Sequence, residues 1–360
     1  MFKNKRTAMV VTLVVAVFIS LSILMVPGKA FAAYDAFIII SGIQGESTDQ
    51  THRNWIDVYS WSFGETLPSA TAGGATARVT MQDFKFTKRA DIASPLLFLA
   101  CARAQRIPTA TLEVRSIGTV PVTVLSIKLS DVIVSSFETL GNSGSIDLLE
   151  KVSLNFGKIE ITYTPIVSGA AGPNVTGGWD LRSNLGVGSL PTSPPSISYT
   201  RVGATVVAAG KTTQPSQAIC FIKVGGFEGE STDKTHAGWI DVITWGFGET
   251  QPTTVISLTS AGSVRPVNLQ DFRFTMRMNK ASPLLFLASA SGVIIPQVML
   301  EVYRPGMDTG DANLRITLSN VVISSFLSLG SGQSIMEEIS LKFGKINIRY
   351  TPGGRVVEFP

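Results

Sequence analysis

The feature that most constrains this chain is a long internal repeat. Three blocks occur twice in the same order, at 45–66 and 229–250, at 93–100 and 281–288, and at 153–165 and 340–352. The first pair is identical at 16 of 22 positions. The copies are offset by 184 to 189 residues, far more than the roughly 20 to 50 residues of a solenoid unit. The chain therefore contains two copies of one whole domain.

The repeat divides the 360 residues into four segments. We predict a signal peptide at 1–32, a first domain at 33–165, a connector at 166–216 and a second domain at 217–360. The connector holds eight glycines and five prolines, a composition typical of a loosely ordered segment. It also contains the sequence GGWDLRSN at 177–184.

The first 32 residues have the pattern of an export signal. Three basic residues within 3–6 precede a mostly apolar stretch over 8–26, and Ala30-Phe31-Ala32 fits an A-x-A cleavage site. An uncleaved anchor is the alternative, because a 19-residue apolar stretch can just span about 30 Å of hydrocarbon. Beyond residue 32 the chain balances 26 basic against 26 acidic residues, which argues against a binder of nucleic-acid phosphates.

Within each copy the hydrophobic pattern is mostly that of strands. Leu112-Glu113-Val114-Arg115 alternates clearly. Over 55–63 the alternation predicts that Ile56 and Val58 face one side of a strand and that Trp61 and Phe63 face the other. We predict a mainly β chain with two tandem antiparallel β-barrel or sandwich domains, each with one short α-helix.

The helix of each copy is predicted from the block ASPLLFLA. Ser94 is expected to be the N-cap, with Pro95 at the first helical position, and Ser282-Pro283 repeats this start. Gly292 is expected to end the second helix. The two cysteines, Cys101 and Cys220, are compatible with one disulfide or with two free thiols.

The two histidines lie in equivalent loops of sequence GESTDxTHxxW. Two carboxylates and one imidazole per loop could hold a metal ion, from Glu46, Asp49 and His52 or from Glu230, Asp233 and His236. The same Asp and hydroxyl residues are also those with which a tight loop bonds its own backbone. We favour the structural interpretation, because the sequence has no further histidine to complete a site of usual ligand spacing.

Other motifs give no catalytic site. The segment AAGKT at 208–212 has Thr205 where a phosphate-binding loop needs its first glycine. The acidic pairs Asp57 with Glu65 and Asp241 with Glu249 are too ordinary to indicate a glycosidase. The strand tryptophans Trp55, Trp61, Trp239 and Trp245 are more typical of a core or an interface than of a carbohydrate platform. We therefore predict no catalytic residue, no cofactor and no metal ligand.

Several matched blocks resemble the haemolysin-coregulated protein (Hcp) family of bacterial type VI secretion. They are GxxGESTDxxH with WIDVxxW, VxxQDFxFT, ASPLL and [VI]SLxFGKIxIxYTP, at 42–61, 79–87, 93–97 and 152–165, and again at 226–245, 267–275, 281–285 and 339–352. The segment at 177–184 is similar to a tail that often ends single-domain members. The tandem arrangement and the signal-like start depart from the family pattern, and they weaken the expected role in a contractile machine.

The resemblance implies a non-enzymatic tube protein. Such proteins are compact β-barrels with one helix that assemble into stacked six-membered rings and work with spike, sheath and effector proteins. For this chain we expect self-association of three two-domain chains as a pseudo-hexamer, with no nucleic acid and no membrane as partner after signal cleavage. The alternative is a secreted or surface binding module that uses the same barrel outside a secretion machine.

We predict that export removes residues 1–32 and releases a periplasmic or extracellular chain. N-terminal sequencing of protein recovered outside the cytoplasm should begin at or near Ala33. A membrane fraction that retains Met1 would instead identify the segment as an anchor.

Overall fold

The computed structural model describes residues 34–67, 78–118, 120–140, 148–191, 219–250, 268–303, 312–332, 334–350 and 357–359. The predicted signal peptide and the AAGKT segment lie outside these residues. The helices of the described part are α1 (Ser94–Ala102) and α2 (Ser282–Ser291). Neither is long and apolar enough to cross a membrane.

The strands follow one another in the same order in both copies. Those of the first copy are β1 (Tyr34–Ile40), β2 (Ile56–Val58), β3 (Ser60–Thr66), β4 (Thr80–Met81), β5 (Phe84–Arg89), β6 (Arg106–Ser116), β7 (Thr123–Leu140), β8 (Leu149–Asn155) and β9 (Lys158–Tyr163). Four strands follow in the predicted connector: β10 (Ile166–Val167), β11 (Ala170–Ala171), β12 (Val175–Asp180) and β13 (Leu185–Val187). Those of the second copy are β14 (Ile219–Val224), β15 (Ile240–Gly246), β16 (Glu249–Thr250), β17 (Asn268–Leu269), β18 (Phe272–Arg277), β19 (Ile295–Tyr303), β20 (Leu314–Ser331), β21 (Ser334–Lys342), β22 (Lys345–Tyr350) and β23 (Val357–Phe359).

Each copy closes into an antiparallel barrel. In the first, β1 pairs with β2 and β6, β6 with β7, β7 with β8, β8 with β5, and β5 with β3, which continues β2. The second repeats this circuit through β14, β15, β18, β21, β20 and β19. Along β6 the side chains of Ala110, Leu112 and Val114 are buried, and those of Glu113 and Arg115 alternate with them. The predicted fold class is confirmed.

One strand departs from simple alternation. Between β2 and β3 the strand is interrupted at Tyr59, so Trp61 and Phe63 are buried together with Ile56 and Val58. The prediction that these pairs face opposite sides was wrong, because one irregular residue reverses the side on which every later residue lies.

Both helices lie at the predicted positions, but their first turns differ from the expectation. Ala93 and Ala281 are the N-cap residues, and Ser94 and Ser282 are already helical. The Ser94 hydroxyl is engaged elsewhere, since it donates to Glu150 over 2.7 Å. Gly292 ends α2 in the left-handed conformation, with φ of 64°, as predicted.

The connector is more ordered than its composition suggests. Strand β12 pairs with β9 of the first barrel and β13 pairs with β12, so 175–187 extends the first barrel's sheet, whereas β10 and β11 form a separate two-stranded sheet. The expectation of a loosely ordered segment does not hold there, because Trp179 is buried and ties the tail to a core. Cys101 and Cys220 are free thiols.

Candidate functional site: the junction between the barrels

The two barrels are joined by direct strand pairing. Strand β3 of the first barrel pairs antiparallel with β20 of the second, from Ser60 opposite Ser331 to Thr66 opposite Ser325. The same half of β20 pairs with β21 of its own barrel. The sheet of one barrel therefore continues into the other, and both paired edges are covered. We call this contact the junction.

Aromatic side chains fill the junction. Phe63 of β3 is 2% exposed and lies between Phe286 of α2 and Phe326 of β20, with ring centroids 5.9 Å and 6.2 Å away. Trp61 packs on Gly330, where any Cβ atom would overlap the indole. The prediction that a strand tryptophan of the repeat serves a core or an interface is confirmed for Trp61.

The equivalent residues on the outer sides of the chain are exposed. Phe247, which corresponds to Phe63, is 38% exposed. Phe98, which corresponds to Phe286, is 61% exposed and stands edge-on to Phe137 at 6.1 Å, as Phe286 does to Phe326 at 5.6 Å. The two halves of a second junction are thus present on one chain but do not meet within it.

The tail formed by β12 and β13 reinforces the junction from the other side of α2. Gly177 lies so close to Pro283 that a Cβ atom would overlap the proline carbonyl oxygen, and Gly186 lies against Leu287. Gly177 is therefore required for this close packing of strand on helix, whereas a Cβ atom at Gly186 would meet only the flexible end of the Leu287 side chain. Sequence reasoning missed this contact, since a Gly-rich segment is equally typical of a linker.

Two buried carboxyl groups lie at or beside the junction. Burial raises the pKa of Glu65 well above its ordinary range, and Ser289 of α2, which acts in the opposite direction, does not outweigh it. Burial also raises the pKa of Glu337 to about 8, against hydrogen bonds from Ser282 (2.5 Å) and Ser328 (3.5 Å). In both cases burial favours the neutral, protonated form of the carboxyl group.

In the first barrel the residue equivalent to Glu337 has a cationic partner. There Glu150 is paired with Lys88 over 2.7 Å, and Lys88 also contacts Asp91 at 2.7 Å. The second copy has Met276 and Asn279 at the positions of Lys88 and Asp91. The second barrel therefore has the same buried glutamate but a methionine in place of the lysine that pairs with it in the first barrel.

The histidine loops have closely similar geometry in the two copies. In the first, His52 lies 3.0 Å from Asp49 through Nδ1 and 2.9 Å from Glu113 through Nε2, and its ring stacks on Phe37 at 4.3 Å. Asp49 also accepts hydrogen bonds from two backbone N–H groups of its own loop. Glu46 is not part of this cluster, since its carboxylate accepts from the Ile92 amide.

In the second copy His236 lies 2.7 Å from Asp233 and 3.0 Å from Glu301. Glu230 instead accepts the Tyr163 hydroxyl across the junction at 3.1 Å. The glutamates that do reach the histidines, Glu113 and Glu301, lie 61 and 65 residues away, too far for the loop motif to indicate them. Among the described residues no group of three or more His, Cys, Asp and Glu side chains could hold a metal ion.

The remaining candidate residues do not come together either. Asp57 is exposed on the barrel surface, whereas Glu65 is buried in the junction. Asp241 is exposed in the second copy, and the side chain of Glu249 lies outside the described part. Neither pair forms a facing couple of carboxylates in the described residues.

The comparisons with known proteins identify the family. A family model described as "Type VI secretion system effector, Hcp" matches residues 37–163 and again 221–350. The chain belongs to the Hcp family. "Protein hcp1" of Pseudomonas aeruginosa is 38% identical over 159 residues, which cover 42% of this chain and 98% of that protein. The family model matches both copies, so the chain is a tandem member of this family of type VI secretion tube proteins.

Two solved structures resemble this Hcp chain over about one copy. The crystal structure of Hcp1 from Salmonella typhimurium is 34% identical, with a TM-score of 0.37, and covers 43% of this chain and 99% of its own. A structure titled as a type six secretion system protein is 28% identical, with a TM-score of 0.41, and covers 43% of this chain and 100% of its own.

We predict that the loop histidines stabilise the Hcp barrels and neither bind metal nor catalyse a reaction. Replacing both His52 and His236 by Ala should lower the free energy of unfolding by about 0.5 to 3 kcal/mol per site, measured by denaturant unfolding. Stoichiometric metal in the purified chain that disappears in the double variant would contradict this.

We predict that Glu337 makes the second barrel more stable in acid. The pKa of Glu337 in the folded barrel, about 8, exceeds its ordinary value of 4.5. The contribution of this group to the free energy of unfolding is therefore fully present below pH 4.5. It is lost as the pH rises towards 8, by up to about 5 kcal/mol. Glu337→Gln should flatten this part of the pH profile of denaturant unfolding, and Met276→Lys should lower the pKa by supplying the cation that Glu150 has. Glu338→Gln is the matched control. An unchanged slope in Glu337→Gln would contradict the assignment.

Proposed function

We propose that three copies of this chain close into a ring of six barrels and that such rings stack as a type VI secretion tube that carries effectors. Six is the number that the family resemblance implies. The observation that carries the proposal is the junction itself. It is a head-to-tail contact in which β3 of one barrel meets β20 and α2 of the next, and such contacts either close into rings or run on as filaments.

The exposed surfaces have the chemistry needed to repeat the junction between chains. In such a contact, Trp245 and Phe247 of one chain would take the places of Trp61 and Phe63. Phe98 and Phe137 of the next chain would take the places of Phe286 and Phe326. Phe247 and Phe98 are exposed, and Trp245 and Phe137 are half-buried beside them. The sequence SSFETLG, at 135–141, also has a glycine, Gly141, at the position equivalent to Gly330, although this residue lies outside the described part of the chain.

Burial of these aromatic side chains supplies the driving force for ring closure. Fully burying a phenylalanine side chain contributes about 1.5 to 3 kcal/mol, and each new contact between chains would cover Phe247 and Phe98 together. The tail contact is not repeated in the same form. Strand β23 pairs with β22 in the same register in which β12 pairs with β9. In that register Phe359 stands at the position of Gly177. The contacts between chains would therefore be less extensive than the junction within each chain.

Light scattering of the purified chain should give about three times the chain mass. Phe247→Asp and Phe98→Asp should each reduce this to a single chain, because a charge would be buried against an aromatic surface. Val120→Asp, at an exposed position outside the junction, should leave the mass unchanged. A monomer at every concentration would instead support a secreted binding module, and six chains in two stacked rings would contradict the lateral arrangement.

A further inference from the structure

An arginine of the first barrel shows which ligand one surface of this domain can hold. The guanidinium of Arg115 donates to both carboxylate oxygens of Asp49, at 3.0 and 2.7 Å, and lies over the ring of Phe37 at 5.3 Å. Thr51 accepts a further hydrogen bond at 3.0 Å, and Asp35 lies 3.4 Å away. These partners complete the recognition of a planar cation by a carboxylate and an aromatic face.

The second barrel keeps the carboxylate and the aromatic ring but lacks the arginine. Asp233 and Phe221 correspond to Asp49 and Phe37, whereas Tyr303 and Ile219 stand where Arg115 and Asp35 would be. The Tyr303 hydroxyl donates to Glu301 at 2.7 Å, which directs that side chain to the histidine side of the loop. No side chain of this barrel replaces the guanidinium at Asp233 within the described residues.

A pocket of about 420 Å³ lies at this position on the second barrel. Its walls include Ile219, Phe221, Ser231, Thr232, Asp233 and Asp241. Asp241 stands directly opposite Phe221 on the neighbouring strand, so it adds a second carboxylate beside the ring.

Asp233 has one carboxylate oxygen available in this pocket. Its Oδ1 is occupied by Thr235 and His236, whereas its Oδ2 accepts no hydrogen bond from the described residues. Burial alone would raise the pKa of Asp233, but the hydrogen bonds from His236 and Thr235 outweigh it and lower the pKa to about 2. The pocket therefore contains a carboxylate that is ionised at neutral pH.

We propose that this pocket binds the guanidinium group of an arginine side chain from another protein molecule, with Asp233 as its anion in the way that Asp49 is the anion for Arg115. The ligand is arginine rather than lysine because a planar guanidinium can bond both oxygens of one carboxylate at once, as Arg115 does with Asp49, which an ammonium does less well. The proposal does not depend on ring formation, since the pocket lies within one barrel.

The test follows the side-chain methyl group of Ile219 by NMR in the full chain labelled at isoleucine methyls, with the signal assigned by Ile219→Val. N-acetyl-arginine amide should shift this signal saturably, and N-acetyl-lysine amide should bind more weakly. Asp233→Asn keeps the Oδ1 acceptor of the loop but replaces Oδ2, and should weaken binding about tenfold or more, the value of one hydrogen bond to a charged group.

Two further variants separate the pocket from general effects on folding. Tyr303→Arg supplies the barrel's own guanidinium and should abolish the shift of Ile219, whereas Tyr303→Phe should retain it. The double variant Asp35→Ile with Arg115→Tyr gives the first barrel the second barrel's residues and should add a second responding isoleucine. No saturable shift in the unaltered chain, or equal binding in Asp233→Asn and Tyr303→Arg, would overturn the proposal.

Light scattering then identifies the source of the arginine. A lower mass for Asp233→Asn than for the unaltered chain assigns the arginine to another copy of this chain. An unchanged mass, with binding of N-acetyl-arginine amide still lost, assigns it to a different protein.

Discussion

The pairing of β3 with β20 is the contact on which the arrangement of the two barrels depends. It places Phe63 against Phe286 and Phe326 and brings Trp61 onto Gly330. A strand edge has backbone N–H and C=O groups without hydrogen-bond partners, and the aromatic residues beside it have apolar surface exposed to water. The pairing of β3 with β20 hydrogen-bonds these backbone groups and buries this apolar surface in one contact. Because the two barrels share a chain, this contact forms at a high effective concentration that separate domains would lack.

The two copies also act as internal controls for each other. Phe98 and Phe286 occupy the same position in nearly identical helices, yet one is exposed and the other buried. Their difference follows from what packs on the helix rather than from the sequence of the helix. Conversely, Glu150 and Glu337 occupy the same position in similar cores, and their difference follows from Lys88 against Met276. Removing the cation from a buried pair leaves an acid that folding keeps neutral.

The sequence predicts what depends on local pattern and on repetition. Two domains, their strands and their helices follow from the repeat, from alternation and from Ser-Pro before an apolar run. The side on which Trp61 lies does not follow, because a single irregular residue at Tyr59 reverses the alternation. The partners of His52 do not follow either, since Glu113 reaches it only through the pairing of β1 with β6. The contact of the tail with α2 does not follow either, because Gly177 packs on Pro283 of the other copy, far away along the chain.

Duplication within one chain changes what limits assembly. In a ring of single domains every contact forms between separate molecules and depends on concentration. In the proposed ring, three of the six contacts already exist inside the chains. The packing of Gly177 on Pro283 stabilises these three contacts. The contacts between chains, built on Phe247 and Phe98, then determine both the closure and the opening of the ring. Substitutions confined to one copy, such as Arg115 against Tyr303, can therefore alter one of two alternating positions without disturbing the other.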